Sequence, residues 1–338
     1  MAVTMRDIAR VAQVDPSVIS AVLNGSKSIR VSAEKRRQVL NLVKKMNYRP
    51  NLTARSLITR KSFAIGVLAY STRDRFYAAM MAELQQQLLS RGYAGIYAFW
   101  NDDSEVEKAY DTILTRGVDG IITTHDNPAL FPREIPTVIY GMQQEGYDCV
   151  LLDYETAIRN SLGYLLRLGH RKIGCLGIQP HDPRYPVFIR AMAEAGLEVR
   201  PEWMAECSGF LADAYQAAMN LLSRPDKPTA LIAKNDMAAL AVLNAAARTG
   251  ISVPAELSVI GFDNIEEGRY SFPAVTTNGG DIRQLVEKLL ETLFHRMAHP
   301  DAPTQVSLMK VELSVRESCA PAGNGRNLKT VTESICKQ

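Results

Sequence analysis

The chain has 338 residues, more than a single core of ordinary size holds, so a small module joined to a larger one is expected. Apolar residues make up 46% and charged residues 22%, which excludes collagen-like, coiled-coil and wholly disordered chains. The net charge of +3 conceals an asymmetry: residues 1–61 hold 13 Lys or Arg against 3 Asp or Glu, net +10, and the remainder is net −7. One end has the footprint of a DNA-binding module and the other does not.

The first residues carry charges where a secretory signal needs an apolar stretch, and nowhere do 18 uncharged apolar residues run together. A cytoplasmic protein without a membrane partner is expected. Five cysteines, scattered and without a Cys-x-x-Cys pair, read as reduced and structural, and the five histidines show no zinc-ligand spacing. No metal and no cofactor is expected.

Thr4 caps a first helix whose inward positions are Ile8, Ala9, Val11 and Ala12, with Asp7 placed to complete a capping box. A turn at Gln13 and Val14 follows. Asp15 then caps a second helix with Pro16 in its first turn and a buried stripe of Val18, Ile19, Val22 and Leu23, closed by Asn24-Gly25. A third helix starts from Ser32 and runs through Val39, Leu40, Leu42, Val43 and Met46. Three short helices with a basic surface describe a helix-turn-helix module. Residues 50–57 form a short amphipathic linker, too short to be a stable helix alone in water.

After Lys61 strands and helices alternate. Strands are expected at 63–69, 94–99, 118–123, 137–140 and 150–152, with helices at 78–90 and 105–115. A second series has helices at 157–168, 188–195, 212–222 and 237–249 and strands at 172–176, 229–233 and 257–262. The pattern predicts an α/β core of two doubly wound parallel sheets, with the helix 282–296 and the strand 305–315 crossing back between them. Ligands bind beyond the carboxyl ends of such strands, so two facing lobes make a cleft. The residues that follow those ends are 74–77, Trp100 and Asn101, then 181–185, Asn235-Asp236 and Asp263-Asn264. No dinucleotide fingerprint, phosphate-binding loop or nucleophile elbow occurs, so no catalytic residue is assigned.

Particular residues add a resemblance. Val3-Thr4-Met5-Arg6-Asp7-Ile8-Ala9, Val22-Leu23-Asn24, Val31-Ser32 and Asn47-Tyr48-Arg49-Pro50-Asn51 resemble the headpiece of the lactose/galactose repressor (LacI/GalR) family. Gly169-His170-Arg171, Asn235-Asp236-Met237-Ala238, Ser258-Val259-Ile260-Gly261-Phe262-Asp263, Pro273-Ala274-Val275-Thr276-Thr277 and Arg316-Glu317-Ser318 are similar to that family's two-lobed, periplasmic-binding-protein-like core. The resemblance implies four segments: a headpiece at 1–49, a hinge at 50–61, an effector-binding and dimerisation core at 62–320, and a flexible tail at 321–338. It implies a homodimeric transcription regulator, a repressor, on a palindromic double-stranded operator, with DNA affinity set by a sugar or sugar derivative in the cleft. The implied DNA-contacting residues are Thr4, Pro16, Ser17, Ser20, Ala21, Asn24, Arg30 and Tyr48, joined by Asn51, Ala54, Arg55 and Leu57 of the hinge. Pro16, Ser17 and Ala21 take the base-reading positions, and Leu57 matches the leucine that wedges into the minor groove. Gln13 stands where the family has glycine, a strained choice if the position needs positive φ.

For the effector the resemblance assigns Phe76 and Tyr77 as aromatic walls and Asn235 and Asp263 as polar contacts. Asp236 holds the strand-to-helix turn. Tyr185 takes the register of the family's usual arginine, with Arg184 beside it. A solute-binding protein of the periplasmic type shares this core; the basic headpiece argues against it.

Overall fold

The computed structural model describes residues 3–23, 29–48, 56, 59–100, 103–125, 127, 130 and 132–323. Internal contacts divide the chain into two units, Met1–Phe63 and Ala64–Gln338.

The first unit contains α1 (Met5–Ala12), α2 (Pro16–Leu23) and α3 (Ala33–Lys45). The Thr4 hydroxyl accepts from Asp7 N at 3.3 Å and the Asp7 carboxylate accepts from Thr4 N at 3.0 Å, completing the capping box. Asp15 accepts from Ser17 N at 2.8 Å, and Ser32 accepts from Lys35 N at 3.2 Å. Gln13 has φ 52°, so the turn does use the left-handed region and Gln13 bears its strain. Ile8, Ala9, Ala12, Ile19, Val22 and Val39 form the core. Val11 and Leu40, expected inside, are instead exposed. Each lies about 100° around its helix from the centre of the buried stripe, because that stripe is set by residues three and four apart. Lys35 Nζ donates to Ala12 O at 3.0 Å and Arg36 donates to Val22 O at 3.3 Å. Two of the basic residues thus cap helix C-termini.

The second unit holds two six-stranded sheets. The first is built from β1 (Ala64–Tyr70), β2 (Ala94–Trp100), β3 (Gly120–Thr123), β4 (Thr137–Tyr140), β5 (Asp148–Leu152) and β11 (Val306–Met309), in the order β11-β5-β4-β3-β1-β2 and wholly parallel. It carries α4 (Arg75–Ser90), α5 (Val106–Leu114) and α11 (Ile282–Ala298). The second sheet contains β6 (Ile173–Leu176), β7 (Met204–Ala205), β8 (Ala230–Ala233), β9 (Ser258–Phe262), β10 (Thr276–Gly279) and β12 (Glu312–Ser314), in the order β12-β10-β9-β8-β6-β7. Its helices are α6 (Tyr154–Arg167), α7 (Arg184–Glu194), α8 (Leu211–Leu222), α9 (Asp236–Thr249) and the short α10 (Glu266–Arg269).

Two expectations are corrected. The single strand at 305–315 is two: β11 pairs with β5 of the first sheet, and β12 pairs antiparallel with β10 of the second. The second sheet is therefore not purely parallel. The helix expected to cross back, α11, does so: it follows β10 of the second sheet and packs on the first lobe, against α4 and β4. The crossings fall at the short stretches 153, 280–281 and 310–311, which leaves the strand ends of the two lobes facing each other.

Candidate functional site

In the headpiece, Thr4, Pro16, Ser17 and Arg30 are exposed and Ser20 is half-buried. Hydrogen bonds from Ser17 hold the Asp15 carboxyl below its usual range. Ala21 is only 4% exposed, which corrects its expected place among outward readers: its single methyl reaches no further than its own helix surface. Tyr48 packs half-buried against the headpiece core. Asn24, Asn51, Ala54, Arg55 and Leu57 lie outside the described residues.

In the core the strand ends bring together most of the expected cleft residues. Asp74 caps α4, accepting from Phe76 N at 2.8 Å, and its other oxygen accepts from Asn235 Nδ2 at 3.1 Å. Asn235 caps α9 in turn, its Oδ1 accepting from Ala238 N at 2.8 Å. One hydrogen bond therefore ties a helix cap of the first lobe to a helix cap of the second. Phe76 is buried and stacks on Tyr140 at 6.2 Å, with Tyr77 edge-on at 5.7 Å. Tyr140 and Tyr154 were not expected here. Tyr140 ends β4, a position the strand-end rule singles out, whereas Tyr154 opens a helix and carries no such signal.

Arg184, not Tyr185, takes the centre of the second lobe's face. Its guanidinium lies 5.3 Å from the Tyr154 ring centre and 5.2 Å from that of Phe262. Nε and Nη2 donate to the two carboxylate oxygens of Asp182 at 2.8 and 2.6 Å, and Nη1 donates to the Lys234 carbonyl. Burial works against both charges, yet the mutual bonds prevail: the Asp182 carboxyl is held below its usual range and the Arg184 guanidinium above its own. Tyr185 packs half-buried against the second-lobe core. Asp182 and Pro183 precede α7, which opens at Arg184, and Asp182 Oδ1 also accepts from Arg184 N at 2.9 Å.

Asp263 follows β9 in a strained turn. It has φ 101° and Asn264 has φ 57°, conformations that non-glycine residues avoid and that concentrate at functional sites. Arg316 clamps the turn by donating to Asn264 Oδ1 and to the Val275 carbonyl. Gly279 makes room for it: a Cβ there would stand 2.4 Å from Asn264 Cβ. Burial, then repulsion from Asp74 and Asp236, pushes the Asp263 carboxyl well above its usual range against the pull of Arg184 and Lys234. Asp236 is fully buried and accepts from Ile265 N at 2.9 Å, and burial raises its carboxyl to about 7. It braces the turn beneath the cleft.

Residues 4–51 match the family described as bacterial regulatory proteins, lacI family, and residues 162–319 match the periplasmic binding protein-like domain. The HTH-type transcriptional repressor PurR of Mannheimia succiniciproducens is 30% identical over 329 residues, spanning 93% of this chain and 98% of that protein. This chain belongs to the lacI family. The ribose operon repressor of Haemophilus influenzae is likewise 30% identical over 334 residues, with 93% and 98% covered. Among solved structures, the lac repressor dimer bound to operator and the anti-inducer ONPF superposes with a TM-score of 0.83 at 23% identity, covering 95% of this chain and 100% of that one. The transcriptional regulator CelR in complex with cellobiose gives 0.69 at 22% identity, with 94% and 99% covered. The lacI-family fold, a helix-turn-helix headpiece followed by two α/β lobes, is the architecture found here. Among the described residues no helix is long and apolar enough to cross a membrane.

Proposed function

We propose that this lacI-family protein is a homodimeric transcriptional repressor that binds a near-palindromic operator in the cytoplasm and releases or tightens its grip when a small polar effector enters the cleft. The observation that carries the reading is the coupling, in one chain, of a headpiece of net +10 to a two-lobed core whose cleft gathers Phe76, Tyr77, Arg184, Asn235 and Asp263. In this reading Pro16 and Ser17 meet base edges, and Thr4, Ser20, Arg30 and Tyr48 position the headpiece on the backbone. Leu57 wedges into the central step from a hinge spanning 50–61. The resemblance makes a sugar or sugar derivative the effector class, and both Tyr185 and Ala21 lose weight as direct contacts. The relatives named as transcriptional repressors support the regulatory role and give no support to catalysis.

Selection of bound DNA from a random pool by the full chain tests this. Two inverted half-sites about a central step are expected, because one headpiece makes too few contacts for tight specific binding. Affinity is expected to fall steeply with salt as several phosphate counterions are released. Enrichment of a lone asymmetric half-site, or a flat salt titration, would reject the reading.

A further inference from the structure

The turn between α1 and α2 is built on a strained residue and held from a distance. An α-helix leaves its last four carbonyls without an intrahelical partner. At the end of α1 the turn itself serves two of them, Gln13 N donating to Arg10 O at 3.3 Å and Val14 N to Ala9 O at 3.1 Å. The Ala12 carbonyl, which belongs to the peptide plane leading into Gln13, is served from α3: Lys35 Nζ donates to it at 3.0 Å. That plane is oriented by ψ of Ala12 and φ of Gln13. Gln13 sits at φ 52° and ψ 50°, where a residue with a Cβ is disfavoured and glycine is not.

Three observations set Lys35 apart from the other cations of the headpiece. Its ammonium is committed: besides Ala12 O it donates to Gln38 Oε1 at 3.1 Å, and the side chain is half-buried. Its neighbour Arg36 donates to the Val22 carbonyl at 3.3 Å, so adjacent residues of α3 grip the C-terminal ends of both α1 and α2. Val39 is the one fully buried side chain of α3, with Leu42, Val43 and Met46 partly buried behind it. The first turn of α3 therefore meets the other two helices through polar grips and not through apolar packing.

We infer that Lys35 is a positioning residue for operator recognition: it pins the Ala12–Gln13 peptide plane, so fixing the direction of α2, and its charge is not a phosphate contact. The inference deepens the repressor reading and rests on it. Pro16 and Ser17, which that reading puts on base edges, follow the pinned plane by three and four residues. Recognition by contact tolerates displacements of only about 0.5 Å and 10–20°. Without the grip the turn samples other angles, and the operator complex must restore the right one. Binding to unrelated DNA rests on phosphates alone and has no such requirement. A hydrogen bond from a charged donor corresponds to a factor of roughly ten or more, which sets the expected loss of preference for operator over unrelated duplex.

The test compares four full-length proteins: the parent, Lys35→Met, Gln13→Gly and the double variant. Each is titrated with the operator selected from the random pool and with an unrelated duplex of equal length, between about 50 and 200 mM salt. Lys35→Met keeps the stem and removes the donors. It is expected to lower the operator preference about tenfold and to leave the salt dependence of log K where it was, whereas a lost phosphate contact reduces that slope by about 0.9 for each lysine. Gln13→Gly returns no charge, yet in the double variant it is expected to restore most of the preference, because glycine holds φ 52° without help. A slope reduced by that amount, an unchanged preference, or a preference that Gln13→Gly does not restore would overturn the inference. Circular dichroism covers a headpiece that unfolds: if Lys35→Met loses its helices and the double variant keeps them, the grip on the turn stands, and if both lose them it falls. A parent that prefers no duplex would reject the repressor reading itself. A parent that does prefer one, with Lys35→Met indistinguishable from it, would reject only the role of Lys35.

Discussion

Asp182→Ala is the sharpest probe of the arrangement at the cleft. The Asp182 and Arg184 side chains are 5% and 10% exposed, so the substitution leaves a guanidinium in a buried site without its counter-charge. Removing one member of a buried pair costs about 3–5 kcal/mol. Arg184 keeps its bond to the Lys234 carbonyl and its place between the rings of Tyr154 and Phe262, which puts the expected loss at the lower end, about 3 kcal/mol. Urea unfolding followed by tryptophan fluorescence suits the question, because Trp203 is buried in the second lobe. A double-mutant cycle with Arg184→Met is expected to give a coupling of about 1–3 kcal/mol. Asp182→Ala is also expected to raise the cleft's affinity for a small carboxylate such as benzoate, since the Nε and Nη2 donors of Arg184 are then open. Additivity within about 0.5 kcal/mol would mean that the two side chains are not coupled in the parent, and the reasoning from their pairing would fail with it.

Gly261→Ala is expected to destabilise the core by about 1–3 kcal/mol, because the added Cβ would stand 2.0 Å from Asp236 Oδ1; a thermal melt within experimental error of the parent would contradict this. His170 is buried, with Nε2 2.9 Å from the Ala320 carbonyl and Nδ1 2.9 Å from the Thr229 hydroxyl, and burial lowers its pKa from 6.5. The unfolded chain therefore binds the extra proton first, so stability is expected to hold above about pH 6.5 and to be lost as pH falls below it. Melting temperatures against pH for the parent and His170→Asn check this, the variant giving the flatter profile between pH 5 and 7. Leu57→Ala is expected to weaken operator binding and leave cleft affinity unchanged, which DNA-binding and calorimetric titrations decide separately.

What the sequence revealed and what it hid follow from the range of the interactions. The caps at Thr4, Asp15 and Ser32 and the left-handed Gln13 were legible because each is settled within three or four residues. The parallel strands were legible because burial on both faces makes them continuous apolar runs. β10 escaped notice because Thr276, Thr277, Asn278 and Gly279 are buried without being apolar; only long-range bonds, such as Asn278 Nδ2 to Ser161 at 2.6 Å, make that burial tolerable. The stretch 305–315 reads as one strand because nothing local marks residues 310–311 as the point where the chain changes lobes. At the cleft, Phe76, Asn235 and Asp263 could be placed from strand ends alone. That Arg184 rather than Tyr185 faces the cleft depends on where α7 begins, and the occupation of its fork by Asp182 depends on a turn of three residues that no periodicity encodes. Val11, Ala21 and Leu40 were misplaced for a related reason: on helices of 8 to 13 residues, one residue of phase decides between core and solvent.

In a repressor controlled by an effector, occupancy of the cleft and occupancy of DNA are thermodynamically linked. The most direct measurement takes a ligand that binds the parent but binds Asp263→Asn weakly, and determines four dissociation constants: the ligand's with and without the selected operator, and the operator's with and without the ligand. Linkage requires the two ratios to be equal, and a coupling of about 1–3 kcal/mol corresponds to a factor of roughly 5 to 150. Equal ratios of that size are expected. A ligand seated at Asp263 that leaves the operator constant unchanged would contradict this.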